Sequence, residues 1–304
     1  MDILLGLLVN VLEEGFIYGV MAMGVYVTYK ILDFPDLSVD GTFPLGACIT
    51  AVLITAGINP WLACAAAFLG GAAAGCVTGF LNVKLKISDL LSGILVMTGL
   101  WSINLFILGG KSVMQFYDQP TIFNSGLAAL LPSGLYPYRV VIVGLLAVIV
   151  VKLLLDVYLK TKSGLLLRAS GNNPQYVISQ GRDPGKMKII GLAIGNGCTA
   201  LSGCILSQQA ESANMASGTG MVVRALASVI IGVSVFKKVK WFKATVAVVL
   251  GSLIYKACLV IAMQLGLPTN FLKLLMAVLF TIALVANNMI GGRRKKQNVN
   301  PTQI

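Results

Sequence analysis

Three groups of polar residues interrupt this 304-residue chain with side chains whose type and spacing suit chemistry. The first is FPDLSVDG, where Asp36, Ser38 and Asp40 alternate between Pro35 and Gly41. The second is Arg224, a guanidinium at the head of the apolar run RALASVIIGVSV. The third is GNNPQYVISQGRD, Gly171 to Asp183, a polar stretch of helical length with basic residues on both sides. None of them reads as a catalytic constellation. The chain has no His, which removes the commonest general base and the commonest metal ligand, and it carries no recognisable nucleophile pattern. The six cysteines, Cys48, Cys64, Cys76, Cys198, Cys204 and Cys258, lie in apolar runs at spacings that match no metal motif and read as small packing residues. A membrane enzyme and a metal site are set aside. What the three groups can do is bind a solute or a partner.

Each group carries two readings. Charges inside apolar segments are costly unless they face water or a partner, and broken helices at membrane depth line a cavity or are buried in protein. Asp36, Ser38 and Asp40 therefore line or gate a solute path, or else form a turn that caps the following span. Arg224 receives a substrate carboxylate, or it snorkels to the outer headgroups. Glu13 and Glu14 meet a partner at the outer mouth or mark a solvated helix start. Asn104, Asn196 and Gln264 read as interhelical hydrogen bonds.

The elements that must position these residues are membrane spans. With 57% hydrophobic and 11% charged residues, the chain departs far from the roughly 25% charged residues of soluble domains. A spanning helix needs roughly 20 apolar residues. Suitable runs fall at 14 to 31, 42 to 58, 61 to 83, 90 to 109, 139 to 158, 188 to 209, 222 to 236, 244 to 265 and 270 to 290. The expected fold is thus all-α, a polytopic transmembrane bundle of about nine spans. The seventh run is short and Pro35 and Pro44 precede or enter the second, so either is a candidate half-helix or re-entrant piece. The N-terminus MDILLGLLVNVLEEG lacks a basic leader and has Glu13 and Glu14 where a cleavage region is small and neutral, so the first run is expected to stay.

The net charge of +12 has to be read by position, because Lys and Arg collect on the cytoplasmic side of membrane proteins. Read this way, it gives nucleic acid no support as a partner. Alternate crossings place four clusters on one face: Lys84 with Lys86, the loop from Lys160 to Lys188, FKKVKWFK (Lys237 to Lys243) and the tail GGRRKKQ. That face is expected to be cytoplasmic, with the C-terminus on it. Gly71, Gly75 and Gly79 recur at every fourth position, as do Gly15 with Gly19 and Gly191 with Gly195. Such flat faces let backbones approach, within the chain or in a dimer.

Inside the central loop, Asn173 suits an N-cap, Pro174 the first helical position, and Gly181 the residue just past the end. The spacing predicts a short helix over Pro174 to Gln180. Two turns are marginal alone in water. Something therefore holds this helix, either a partner that buries Tyr176, Val177 and Ile178 or anionic headgroups that attract the surrounding Lys and Arg. The neighbouring GRDPGKM is not a phosphate-binding loop: its lysine comes one residue early and Met187 stands where a Ser or Thr is needed for magnesium.

SGLLLRASGNNPQYVISQGRDPGKMKIIGLAIGNGCTALSGCILSQ resembles the "G..lRA.G.N" signature of bacterial ABC importer permeases of the branched-chain amino acid and ribose type. YKILDFPDLSVDGTFPLGA resembles their "DLSVG" region, and RALASVIIGVSVF resembles the segment ahead of their next glycine-rich helix. The likeness covers roughly residues 14 to 290. It implies a permease domain over 1–290 with a cytoplasmic coupling loop at 159–187, and a basic cytoplasmic tail at 291–304. It implies that Asn173, Pro174, Gln175, Tyr176, Val177, Ile178 and Gly181 dock an ATP-binding subunit. No cofactor is then expected on this chain, ATP and magnesium belonging to the partner ATPase. The other partners implied are an extracellular substrate-binding lipoprotein, a second permease copy in a homodimer, and the lipid of the bacterial inner membrane.

The chain departs from the pattern twice. An additional N-terminal span of the sugar permeases is missing, so the chain is expected to start outside, and FKKVKWFK replaces a Gly-Gly turn after the seventh run. Its closest resemblance is to a subgroup associated with amino acids, aromatic ones among them. The rival class is a stand-alone ion-coupled secondary transporter, which needs coupling carboxylates buried at mid-membrane. The eleven acidic residues fall mostly at segment ends, which counts against it.

Overall fold

The computed structural model describes residues 2–126, 128, 132, 134–236, 243–266, 268, 271, 274–282 and 284–285. In chain order its helices are α1 (Asp2–Val25), α2 (Val39–Thr55), α3 (Pro60–Val83), α4 (Asp89–Ile107) and α5 (Arg139–Tyr158), then α6 (Lys162–Asn172), α7 (Pro174–Ser179), α8 (Pro184–Gln209), α9 (Met221–Val235) and α10 (Ala244–Gln264). Among the described residues, seven helices are long and apolar enough to cross a membrane, and α2 is a shorter apolar helix beside them. The expectation of a polytopic helical bundle is met. The ninth expected span lies partly outside the described residues, although 274–282 within it are helical. The basic tail and Lys237, Lys238 and Lys240 also lie outside them.

The boundaries follow local signals. Asn59 caps α3 by accepting from the Trp61 N–H at 2.9 Å, with Pro60 in the first turn. Ser88 caps α4, and Asp183 caps α8 ahead of Pro184. Helix α1 starts well before residue 14 and continues through a π-helical stretch, Tyr26–Ile31. It carries Glu13 and Glu14 inside the helix because Glu14 meets Lys256 of α10 at 2.6 Å.

Packing follows the small residues. A Cβ on Gly71 would collide with the Asn196 carbonyl of α8, one on Gly75 with the Leu192 carbonyl, and one on Gly79 with the backbone at Ile189. The glycine stripe of α3 is thus an intramolecular seam, which settles its two readings in favour of packing within the chain. Helix α8 is 67% buried over its apolar window, against 28% for α4 and α5. Helix α8 is therefore an axis of the bundle, while α4 turns Trp101 and Phe106 outward. Helix α1 touches α5, α8, α9 and α10 and contributes Phe16, Tyr18, Met21 and Met23 to the largest apolar cluster. Two three-residue strands, β1 (Val113–Gln115) and β2 (Ser212–Asn214), pair antiparallel with Met114 opposite Ala213. They join the segment after α4 to the one after α8.

Candidate functional site: the central loop and the polar break

Helix α7 forms where its end signals stand. The Asn173 side chain accepts from the Tyr176 N–H at 3.3 Å, Pro174 occupies the first turn, and the helix stops at Ser179. Gly181 follows with φ of +68°, its N–H donating to the Ile178 carbonyl, while the Arg182 N–H donates to the Val177 carbonyl. A left-handed residue at this place satisfies the last carbonyls, and glycine takes it without strain. Of the three apolar members, Val177 is fully buried, whereas Tyr176 is 55% and Ile178 60% exposed. The loop thus holds α7 by Val177, between α6 and α8, and leaves Tyr176 and Ile178 to an outside surface. Gln175 is exposed as well.

Helix α6 was not expected from the sequence. It buries Gly164, Leu167 and Ser170, three residues apart, and Ser170 Oγ donates to the Pro184 carbonyl at the head of α8. The loop end is tied further by Lys188 of α8, which meets Asp89 of α4 at 3.7 Å, and by Asn82 of α3, which donates to the same carboxylate at 2.6 Å. Asp156 of α5 receives Lys152 and Lys243, each at 3.2 Å, together with the Thr245 hydroxyl at 2.9 Å. A cavity of about 800 Å³ opens beside Asp156, walled by Tyr26, Tyr29, Lys30, Arg168 and Lys243 among others.

The segment between α1 and α2 is the break that Pro35 and Gly41 announce. Asp36 is 5% and Ser38 0% exposed. Asp36 Oδ1 accepts from the Ser38 N–H at 2.9 Å, and Asp36 Oδ2 accepts from the Asn196 amide at 2.7 Å. The Asn196 Oδ1 in turn accepts from Ser38 Oγ at 3.0 Å and from Thr42 Oγ1. Four buried side chains from the break, α2 and α8 are thereby hydrogen-bonded to one another, where an unpaired polar group would be costly. Asp40 stands apart from them: its carboxylate accepts from the backbone N–H groups of Gly220 and Val222, at 3.0 and 2.8 Å, and so caps α9 from another helix. Asn104 donates to the Gly41 carbonyl at 3.1 Å. The interhelical bonds expected of Asn104 and Asn196 are both present. Gln264, the third, is the last residue of α10.

Arg224 is half-buried near the start of α9: its Nε and Nη1 are buried without a hydrogen-bond partner, and its Cζ sits 4.1 Å from the centroid of the Tyr18 ring. Thr42, Tyr18 and Lys256 belong to these sites and were not singled out in the sequence. A lone Lys256 inside an apolar run, with Glu13 and Glu14 inside another, was the available signal.

An apolar bundle with seven helices long enough to span a bilayer among the described residues, and hydrogen-bonded polar groups between them, is that of an integral membrane protein. The family described as "Branched-chain amino acid transport system / permease component" matches residues 7–284, and the chain belongs to it. It is 42% identical over 291 residues to the "Tyrosine transport system permease protein" of Clostridioides difficile (strain R20291), covering 96% of this chain and 94% of that one. It is 27% identical to a ribose import permease protein of Escherichia coli (strain K12), over 74% of this chain and 68% of the relative. It is 28% identical to a probable branched-chain amino acid transport permease protein of Methanocaldococcus jannaschii, over 73% of each. No solved structure matches the chain. The family is a transport permease subunit, not an enzyme family.

Proposed function

We propose that this chain is the permease of an ATP-binding cassette importer, moving an amino acid inward by alternating access that separate ATPase subunits drive. The observation that carries the reading is α7: a two-turn helix capped at both ends, anchored by Val177 and offering Tyr176 and Ile178. Asn173, Pro174, Gln175 and Gly181 fix its shape, and the ATPase grips its free face. In this reading the α6–α7 end is cytoplasmic, as the positions of Lys and Arg require, and so is the C-terminus. The membrane is the bacterial inner membrane. ATP and magnesium sit on the partner, a binding lipoprotein delivers the solute from outside, and a second copy of the chain completes the channel as a homodimer.

The mechanical link runs along the chain. Helix α7 is joined to α8 by four residues, 180–183, and α8 carries Asn196, which holds Asp36 and Ser38 of the break. Closure of the ATPase moves α7, α8 follows, and the broken segment with its Asp40 cap on α9 shifts with it. Asp36, Ser38 and Asp40 therefore act as a gate hinge on the solute path, and Arg224 faces the path itself. The cargo is proposed to be an amino acid with an aromatic ring, because the relative at 42% identity is named for tyrosine transport.

Reconstitution tests the whole reading. Proteoliposomes holding this chain with its ATPase should accumulate L-tyrosine or another aromatic amino acid only when ATP and the loaded binding protein are both supplied. Accumulation at full rate by this polypeptide alone, driven by an ion gradient, would establish the secondary-transporter reading instead.

A further inference from the structure

The cavity of about 800 Å³ beside Asp156 lies where α1 and α5 end and α10 begins, against α6. Its size is that of a small-molecule pocket, about 300–1,000 Å³. Lys30, Lys160, Arg168 and Lys243 stand on its wall against two carboxylates, Asp33 and Asp156. Asp156 is spent on Lys152 and Lys243, each at 3.2 Å. Among the described residues Lys30, Lys160 and Arg168 form no ion pair, and all three are exposed. Arg168 is held on this wall because Gly171, one turn on in α6, seats against the Ile31 carbonyl and Leu32, where a Cβ would collide.

The excess of cations is written into the sequence. Only these two of the eleven acidic residues stand on the wall, and the segment that leads into Lys243 adds Lys237, Lys238 and Lys240. Such a wall calls for an anion from outside the chain, and Arg with Lys suits phosphate oxygens. Two observations favour a phosphate that belongs to a lipid. Tyr26 and Tyr29 line the same wall, and tyrosine is a residue of the membrane–water interface. On α5, Leu146, Ile149, Leu153 and Val157 are exposed at helical spacing and lead along one face to Lys160. An acyl chain can lie along that face while its headgroup enters the cavity.

We infer that this cavity is a binding site for the phosphodiester headgroup of an anionic phospholipid, held by Arg168, Lys30 and Lys160, with the acyl chains on the 146–157 face of α5. Basic pockets between spans suit such headgroups. The bound headgroup ties α6 to the membrane ends of α1 and α5, next to the loop that carries α7. The site stands whatever the cargo, because none of its residues is assigned to the solute path or to the ATPase.

The test counts bound lipid. The whole chain, purified in detergent, is titrated with dioleoyl phosphatidylglycerol, and the bound lipid is resolved by native mass spectrometry. Arg168→Gln, Lys30→Gln and Lys160→Gln should each weaken binding about fivefold, and the three together about a hundredfold. Lys84→Gln with Lys86→Gln and Arg182→Gln removes the same charge from the same end of the bundle but outside the cavity, and should leave binding within about twofold of the wild type. All six side chains are exposed, so neither triple variant disturbs the packed core. Equal losses in the two triple variants would reduce the attraction to diffuse surface charge and overturn the site. So would wild-type binding by the cavity variant, or equal retention of phosphatidylcholine. Release of the lipid by millimolar inorganic phosphate or glycerol 1-phosphate would assign the cavity to a free phosphate, and release by the ATPase subunit would assign it to a protein carboxylate. Either result would overturn the lipid.

Discussion

The pair Asp36 and Asn196 offers a test of how the break between α1 and α2 is held. Both residues are buried, at 5% and 0% exposure, and the Asn196 amide reaches the Asp36 carboxylate at 2.7 Å. Hydrogen bonds to a charged group contribute about 1.5–3 kcal/mol, and orphaning a buried acceptor costs more than the bond itself gained. Asn196→Ala removes the donor to Asp36 and the acceptor of Ser38 and Thr42 together, so it should cost about 3–5 kcal/mol. Asp36→Ala leaves Asn196 with its bond to the Leu192 carbonyl at 3.1 Å and should cost about 2–4 kcal/mol. Once one partner is gone, removing the other costs less. The double variant should therefore be more stable than the sum of the singles by about 2 kcal/mol. Equilibrium unfolding in mixed micelles, followed by helical signal, measures the four corners of this cycle. Additivity within about 0.5 kcal/mol would refute the coupling, and with it the claim that α8 holds the break through this amide.

Three further outcomes follow from the same geometry. Asp40→Ala removes the cap from α9 and should lower stability by about 1–2 kcal/mol, while Asp40→Asn, which keeps an acceptor, should lose less than half of that in the same unfolding assay. Gly75→Leu drives a side chain into the Leu192 carbonyl and should abolish monodisperse protein on size-exclusion chromatography, whereas Gly99→Ala, with open space around it, should elute as the wild type. Lys256→Met strands Glu14 within the bundle and should cost about 2 kcal/mol, and the exchange of both charges between the two positions should recover part of the loss.

How much of this was legible in the sequence depends on the range of the forces involved. The spans were, because a bilayer demands long apolar runs, and α5 runs from 139 to 158 as expected. Helix α1 was read as starting too late, since Glu13 and Glu14 look like a boundary until Lys256, far along the chain, is found against Glu14. Helix α7 was legible because Asn173, Pro174 and Gly181 act on their own neighbours. Helix α6 was not: it has glycines at 164 and 171 and only a narrow buried face, and its stability comes from packing on α8 rather than from its own pattern. Asp36, Ser38 and Asp40 were recognised as a break, yet which carboxylate binds Asn196 and which caps α9 is decided by contacts about 160 and 180 residues away. The seat of the Arg224 guanidinium over the Tyr18 ring also had no local signal, because Tyr18 lies on another helix about 200 residues earlier in the chain.

The free face of α7 is where the ATPase is proposed to bind, and the affinity of the purified permease for its ATPase subunit measures that face directly. Tyr176 and Ile178 expose about half or more of their surface, and burying what remains contributes roughly 1–1.5 kcal/mol each. Truncating both to Ala should therefore weaken the ATPase by roughly 30- to 150-fold, with helical content and unfolding midpoint unchanged. Tyr176→Asp with Ile178→Asp should leave no measurable complex. Binding within threefold of the wild type for both double variants would contradict the claim that this helix is where the motor takes hold.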